Sequence, residues 1–146
     1  MKYLDFEKTK SEIIDRIKKQ KDIVLATCVN GRVTARTVYC ASSDLKIFFM
    51  TSKAYTKYKQ ILKIPLVAMC FDNIQIEGSA QVLGHPSSDE NKELLKSCEQ
   101  EGNEFMYWAK YKNTVLIEVD ITHVECWKNN EREYLDVLNK KSYRIG

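Results

Sequence analysis

Alternating apolar and polar positions recur along most of the chain and predict a protein built mainly from β-strands. Asn30 and Gly31, between two such stretches, form the residue pair preferred in two-residue hairpin turns. Because the strand-like stretches follow one another in hairpin-like succession, with helices inserted between only some of them, the pattern favours an antiparallel barrel over an alternating β–α–β sheet. The predicted strands cover residues 22–29, 32–41, 45–51, 65–72, 74–84 and 114–128.

Helical periodicity is confined to shorter segments. Ser87 and Glu90 form a capping box, which predicts the start of a helix over 88–100. Gly78 interrupts a predicted strand and indicates a bulge or a close backbone approach. Further helical segments are predicted over 5–20 and 54–63, with a short helix or turn over 104–111 and a short helical piece over 131–138.

The bulk composition indicates a single domain. The chain has 146 residues, enough for a substantial core, and we expect one domain over 1–146 with an N-terminal helix within 1–20 and a polar tail over 129–146.

A net charge of +3, with acids and bases interspersed, is too mild to predict a nucleic-acid surface. Apolar runs are only strand-length, so no membrane span is expected. The charged N-terminus lacks the apolar core of a signal peptide, which predicts a cytoplasmic protein.

Cysteine and histidine usage predicts neither a disulfide framework nor a metal site. The five cysteines are odd in number and widely spaced, and most fall within apolar strand patterns. His123 and Cys126 are three positions apart on a strand, so their side chains face opposite sides and are poorly placed to bind one metal ion. The sequence carries no motif of a Ser–His–Asp triad or a phosphate-binding loop.

One short segment combines the groups that bind a phosphate monoester. An apolar strand ends at Met50, the hydroxyls of Thr51 and Ser52 follow it, and Lys57 lies in the first turns of the next predicted helix. Hydroxyls, free N–H groups at a helix start and a lysine are favourable partners of an anion. Arg36, on a neighbouring strand, supplies a second cation.

The order of these pieces resembles the FMN-binding split-barrel superfamily, which is named after pyridoxamine 5′-phosphate oxidase, and within it the branch of general stress protein 26. The resemblance implies a mainly β (α+β) fold, a six-stranded antiparallel split β-barrel with peripheral helices. It extends over roughly residues 10–128 and rests on 23–27, Asn30-Gly31, 36–38, 48–52 with Lys57, 64–68 and 74–80.

The resemblance also implies FMN as the cofactor. An arginine at position 36 would contact the phosphate or the ring edge, and the backbone of 37–39 would run beside the isoalloxazine ring. Trp127, at the end of the last predicted strand, would approach the flavin of a partner subunit. No catalytic residue is assigned. The residues implied to bind the cofactor are Arg36, Thr37, Val38, Tyr39, Met50, Thr51, Ser52, Lys57, Asn73 and Trp127.

The function implied by the resemblance is an FMN-dependent oxidoreductase that passes electrons from a reduced nicotinamide to a small organic acceptor. Its flavin would lie at the interface of a homodimer. Three alternatives stay open: a non-catalytic flavin-binding stress protein or sensor, a relative that uses haem or F420, and a nitroimidazole-reductase-like relative that shares the fold and differs in the acceptor. Haem would need His85 or His123 as an axial ligand. True pyridoxamine 5′-phosphate oxidases have an arginine-and-histidine motif near the C-terminus, which is missing before Gly146, so oxidation of vitamin B6 is not expected.

Overall fold

The computed structural model describes residues 1–98 and 104–146, which contain one antiparallel sheet of nine strands. The strands are β1 (Lys2–Leu4), β2 (Asp22–Val29), β3 (Arg32–Ser43), β4 (Lys46–Ser52), β5 (Leu66–Phe71), β6 (Ile74–Val82), β7 (Thr114–Lys128), β8 (Glu131–Asp136) and β9 (Lys141–Ile145). The helices are α1 (Phe6–Lys18), α2 (Thr56–Lys63) and α3 (Asp89–Leu95), with 3₁₀ segments at Lys96–Cys98 and Phe105–Lys110. Among the described helices, none combines the length and apolar character needed to span a bilayer.

Six of the strands close into a barrel, in the order β7, β4, β3, β2, β5 and β6, with β6 returning to β7. This confirms the predicted six-stranded antiparallel barrel with peripheral helices. The β2–β3 hairpin forms where the sequence predicts it, because Asn30 (φ 50°) and Gly31 (φ 76°) adopt the positive φ angles of a primed turn.

Alternation along β4 separates two apolar clusters on the two sides of the barrel wall. Ile47 and Phe49 point into the barrel interior, whereas Phe48 packs outside it with Leu116 and Phe105. The outer cluster is covered by α3 and the two 3₁₀ segments. The same alternation continues to the end of β4 and therefore determines which polar side chains at that end face the barrel interior.

The C-terminal tail differs from the prediction. The helical piece predicted over 131–138 is wrong, because β8 pairs with β7 and with β9 and extends the sheet beyond the barrel. Non-local contacts stabilise this extension: Tyr134 stacks on Tyr143 at 4.9 Å between ring centres, and Arg144 donates to Glu133 at 2.7 Å. A charged local sequence therefore becomes a strand through its cross-strand partners.

The start of α3 also differs from the prediction. Ser88, not Ser87, is the N-cap, and its hydroxyl accepts a hydrogen bond from the Asn91 N–H. The α-helix ends at Leu95 and continues as a 3₁₀ turn, and residues 99 and 100, the predicted end of this helix, lie outside the described residues. The prediction at Gly78 is confirmed, because the register of β6 on β7 shifts between Glu77 and Gly78.

Candidate functional site

The barrel wall opens between β3 and β4. The two strands pair from Ser43–Lys46 to Cys40–Phe49 and then diverge. Upstream of Cys40, β3 continues to pair with β2 along its other edge. A cleft of about 570 Å³ lies at this divergence and is lined by residues of both strands. One backbone edge of β3 therefore faces a cleft instead of a neighbouring strand.

Thr51 brings an unpaired hydroxyl to this cleft. It follows Phe49 on the inward face of β4, is only 5% exposed, and its Oγ1 has no hydrogen-bond partner. An unpaired buried hydroxyl costs free energy in the ligand-free protein. The neighbouring Ser52 accepts from the Ala54 N–H at 3.2 Å, so its own proton stays available. Both hydroxyls can thus donate to an acceptor that enters the cleft.

The first turn of α2 adds positive potential to the same region. Tyr55 occupies the N-cap position without a side-chain cap, so the first N–H groups of the helix keep no capping acceptor. The first turn contains no acidic residue. Lys57 lines the cleft, with its Nζ 4.9 Å from the centre of the Tyr55 ring.

Arg36 lies behind this lysine and is held by the barrel wall. Its NH1 group donates to Thr27 Oγ1 at 2.9 Å and to the carbonyl of Leu25 at 3.3 Å, and its NH2 group donates to Thr34 Oγ1 at 2.5 Å. Alternation along the strand explains why the Arg36 side chain points inward, because Thr34, Arg36 and Val38 share the inward face of β3. Arg36 itself is not among the residues that line the cleft.

Arg36 and Lys57 form a cation pair without a neutralising partner among the described residues. Burial lowers the pKa of the Lys57 ammonium, and the positive charge of Arg36 lowers it further. Burial also lowers the pKa of the Arg36 guanidinium. Burial and, for Lys57, repulsion by Arg36 disfavour the charged forms of these side chains. A bound anion would favour the charged forms and so oppose both pKa shifts.

Aromatic side chains line the outer part of the cleft. Tyr39 of β3 lies 6.4 Å from Phe105, ring centre to ring centre, and Trp108 lies 5.7 Å from Tyr111. The Tyr39 hydroxyl donates to Glu104 at 2.8 Å, which ties β3 to the 3₁₀ segment. Burial raises the pKa of this phenol and Glu104 raises it further, so Tyr39 stays a donor. The cleft therefore has flat apolar walls suited to a planar ring.

Two of the residues predicted for the site lie elsewhere in the same chain. The Asn73 side-chain amide donates to the backbone carbonyl of Trp127, and Arg16 donates to Asn73 Oδ1 at 2.6 Å. Trp127 packs against Arg132, whose guanidinium carbon is 4.3 Å from the centre of the indole ring. The structure brings Asn73 and Trp127 to each other, but neither lines the cleft.

The structure brings most of the predicted site residues together. Seven line the cleft: Thr37, Val38, Tyr39, Met50, Thr51, Ser52 and Lys57. The sequence analysis missed Tyr55, Lys112, Asn113 and Thr114 as lining residues, and it missed the contact of Arg36 with Thr27 and Thr34. The hairpin turn contained a signal for that contact, because it places Thr27 opposite Thr34 on the inward face.

Neither histidine lines the cleft. Both ring nitrogens of His85 are engaged, Nε2 with the Tyr111 carbonyl at 2.9 Å and Nδ1 with the Ser87 N–H at 3.1 Å. His123 lies between Thr122 and Asp136. Across residues 1–98 and 104–146, no group of three or more histidine, cysteine or acidic side chains is arranged to hold a metal ion.

Several solved structures have this barrel. They include a protein related to general stress protein 26 from Clostridium acetobutylicum (TM-score 0.69, 14% identity, 92% of this chain and 98% of that chain). An FMN-binding protein related to pyridoxamine 5′-phosphate oxidase from Nostoc punctiforme matches with a TM-score of 0.63 and 14% identity, over 98% of this chain and 97% of that chain. A heme binding protein from Mycobacterium smegmatis matches with a TM-score of 0.67 and 11% identity, over 93% of this chain and 58% of that chain. An F420 reductase also shares the fold, with a TM-score of 0.53 and 20% identity over 70% of this chain and 87% of that chain.

The fold and the open cleft define a split-barrel protein, a fold that the chain shares with an FMN-binding protein, a heme binding protein and an F420 reductase. The family model for pyridoxamine 5′-phosphate oxidase matches residues 9–128, so the chain belongs to that family. No curated protein matches the chain at a significant level.

Proposed function

We propose that this protein binds FMN in the cleft between β3 and β4 and is an oxidoreductase that uses it. The observation that carries the proposal is that Lys57, which has no acidic partner among the described residues, and the unpaired buried hydroxyl of Thr51 line the same cleft. A phosphate monoester in the cleft would contact Lys57 and Thr51 directly and would be attracted by the charge of Arg36 behind Lys57, because it is an anion with several strong acceptor oxygens. The match to an FMN-binding relative supports the same cofactor.

The donor set favours FMN over the other cofactors seen with this fold. FMN ends in a phosphate monoester that carries up to two negative charges, whereas the phosphate of F420 is a diester with one. Two adjacent cations are better neutralised by the monoester. Neither histidine lines the cleft, so haem bound there would have no histidine as an axial ligand.

The rest of the cleft fits the ring of a flavin. The unpaired edge of β3 at Thr37, Val38 and Tyr39 offers backbone donors and acceptors to the polar edge of the isoalloxazine, and the side chains of Met50 and Trp108 offer apolar contacts. When bound, FMN supplies the redox chemistry by exchanging electrons between a reduced nicotinamide and a small organic acceptor. The chain's own residues bind and orient the cofactor and exclude water from it.

Absorption spectroscopy tests this proposal. The purified protein is mixed with FMN, desalted, and examined for the visible bands of oxidised flavin, which we expect to be retained. Adding a reduced nicotinamide without oxygen is then expected to bleach those bands. Retention without bleaching would support the alternative of a flavin-binding protein without turnover, and absence of retained FMN would overturn the proposal.

Thr51→Val gives a graded form of the same test. We expect FMN affinity to fall about 10-fold, because the variant loses one hydrogen bond to a charged group. The free energy of unfolding of the ligand-free protein should stay equal or rise, since a buried unpaired hydroxyl is removed. Thr9→Val, at a buried threonine of α1, is the matched control and should bind FMN normally. Equal FMN affinity in both variants would remove Thr51 from the site.

We also propose that the protein is a homodimer, because an apolar sheet face is left uncovered. Val33 on β3 is 67% exposed and Leu66 on β5 is 68% exposed, on either side of β2. Ala35, Ala68 and Cys70 extend the same exposed stretch. A continuous apolar face on neighbouring strands is typical of an interface, and a second copy with a two-fold axis would cover it.

Sedimentation velocity tests the dimer. We expect the wild-type protein to sediment as a dimer and Ala68→Arg to sediment as a folded monomer, because a buried unpaired arginine disfavours association. Leu138→Arg, at an exposed leucine in the turn between β8 and β9, is the matched control and should remain dimeric. A monomeric wild type, or a dimeric Ala68→Arg, would contradict this interface.

A further inference from the structure

A buried polar network holds Arg36 in place, and Gln60 of α2 lies at its centre. Gln60 is 3% exposed. Its Oε1 accepts hydrogen bonds from the hydroxyls of Thr27 at 2.5 Å and Thr34 at 2.9 Å. The same two hydroxyls accept from Arg36. The network therefore runs from the guanidinium through two threonines to one glutamine oxygen.

The chemistry of the groups fixes the direction of these bonds. A guanidinium only donates, so each hydroxyl must accept from Arg36 and has its own proton to place elsewhere. Gln60 Oε1 receives both protons. Without this acceptor, at least one of the two threonine protons would lack a partner, since the hydroxyls could donate only to each other at 3.4 Å, and Arg36 would be held less firmly.

The arrangement leaves part of the guanidinium free. Arginine has five N–H donors, and the contacts to Leu25, Thr27 and Thr34 use three of them. The remaining donors belong to a group that is fixed on two strands, which is the preorganisation that favours binding of an anion. Gln60 follows Lys57 by three positions on α2, so one helix face carries Lys57 and anchors Arg36.

The unpaired side-chain NH2 group of Gln60 indicates that the role of this residue is to supply the acceptor oxygen Oε1. Gln60 Nε2 is buried and has no hydrogen-bond partner. A buried unpaired donor is destabilising, and an apolar side chain of similar size would avoid it. Packing alone therefore does not account for a glutamine at this position.

From this network we infer that Gln60 is a positioning residue that makes the cleft selective for a phosphorylated flavin over an unphosphorylated one. The inference rests on the proposed FMN site and adds the source of its selectivity. Gln60 acts through Thr27 and Thr34 on Arg36, and the charge of Arg36 acts on the phosphate from behind Lys57.

Titration with FMN and riboflavin tests this role, because the two ligands differ only in the phosphate. We expect Gln60→Met to bind FMN about 10-fold more weakly and riboflavin with unchanged affinity, the loss expected when a charge-assisted contact is misplaced. Gln60→Glu should bind FMN about 100-fold more weakly, since its carboxylate neutralises Arg36 and repels the phosphate. Riboflavin affinity should again stay unchanged.

Two further variants serve as a matched control and as a second test of the network. Gln81→Met, at an exposed glutamine of β6, is the matched control and should keep the wild-type preference for FMN. Thr34→Val removes one link of the network at a half-buried site, so it provides the same test if Gln60→Met does not fold. An equal loss for both ligands, or an unchanged preference for FMN in Gln60→Met and Thr34→Val, would overturn the positioning role. A wild-type protein that binds neither flavin would instead overturn the proposed function, and the positioning role would fall with it.

Discussion

Replacing Lys57 with methionine is expected to stabilise the ligand-free protein and to weaken FMN binding about 10- to 100-fold, the range for losing a hydrogen bond to a charged group. The two effects have one cause. In the ligand-free protein the Lys57 charge is partly desolvated and is repelled by Arg36, so the charged form is disfavoured. With a phosphate bound, the same charge is attracted.

The pH dependence of the stabilisation follows from the direction of the pKa shift. The pKa of Lys57 is lower in the folded protein than in the unfolded chain, so the penalty is fully present at pH values below the folded pKa. It disappears as alkaline pH removes the proton in the folded state. The difference in stability between Lys57→Met and wild type should therefore be largest near neutral pH and shrink at alkaline pH.

Thermal unfolding with and without FMN measures both effects. We expect the midpoint of ligand-free Lys57→Met to rise by roughly 1–3 °C, the shift for less than 1 kcal/mol in a protein of this size. Added FMN should raise its midpoint less than that of the wild type. Lys59→Met, at an exposed lysine of the same helix, is the matched control and should show neither effect. A ligand-free Lys57→Met that is less stable than wild type would contradict the cation-pair account.

Gly78→Val is expected to be the most destabilising single change considered for this fold, costing about 3 kcal/mol or more through overpacking. A Cβ atom at this position would lie 2.7 Å from the Asp120 carbonyl oxygen and 2.7 Å from Val119 Cγ1. The backbone oxygen belongs to β7, which is held on both sides by other strands. The clash therefore cannot be relieved by rotation of a side chain.

Urea unfolding measures this effect and separates it from a general intolerance of the strand. We expect Gly78→Val to lower the midpoint strongly, or to prevent folding, while Ser79→Val stays close to wild type. Ser79 is the next residue of β6, is half-buried, and already has a Cβ. Equal stability of the two variants would show that β6 and β7 do not approach each other at Gly78 as closely as the structure has them.

Local chemistry accounts for the parts of the fold that could be predicted from the sequence. The turn at Asn30-Gly31 and the alternation of β2 and β3 are properties of contiguous residues, and the polar end of β4 with Lys57 is equally local. The strand β8 was not predictable in this way. Its stabilising partners, Tyr143 and Arg144, come from β9, and nothing in 131–136 alone distinguishes a charged strand from a charged helix.

In the candidate site, too, contacts between residues on separate elements could not be predicted from the sequence. The resemblance of the chain to a family indicated Arg36, but not that its guanidinium is held inside the barrel wall by three acceptors. That arrangement depends on Gln60 packing across from the β2–β3 hairpin, and a contact between residues on separate elements leaves no mark in local periodicity. The unpaired hydroxyl of Thr51 is likewise visible only when its surroundings are known.

The divergence of β3 from β4 has a consequence for how the molecule avoids the addition of a foreign strand at its open edge. An unpaired strand edge is normally a template on which another extended chain can add. Here the free edge at 37–39 lies within a cleft, beside the aromatic side chains of the 3₁₀ segment and a pair of cations. A flat, negatively charged molecule can enter where a polypeptide strand is poorly accommodated. The barrel thereby leaves a backbone edge accessible, and in the proposed complex the flavin would take the place that the next strand occupies in a continuous sheet.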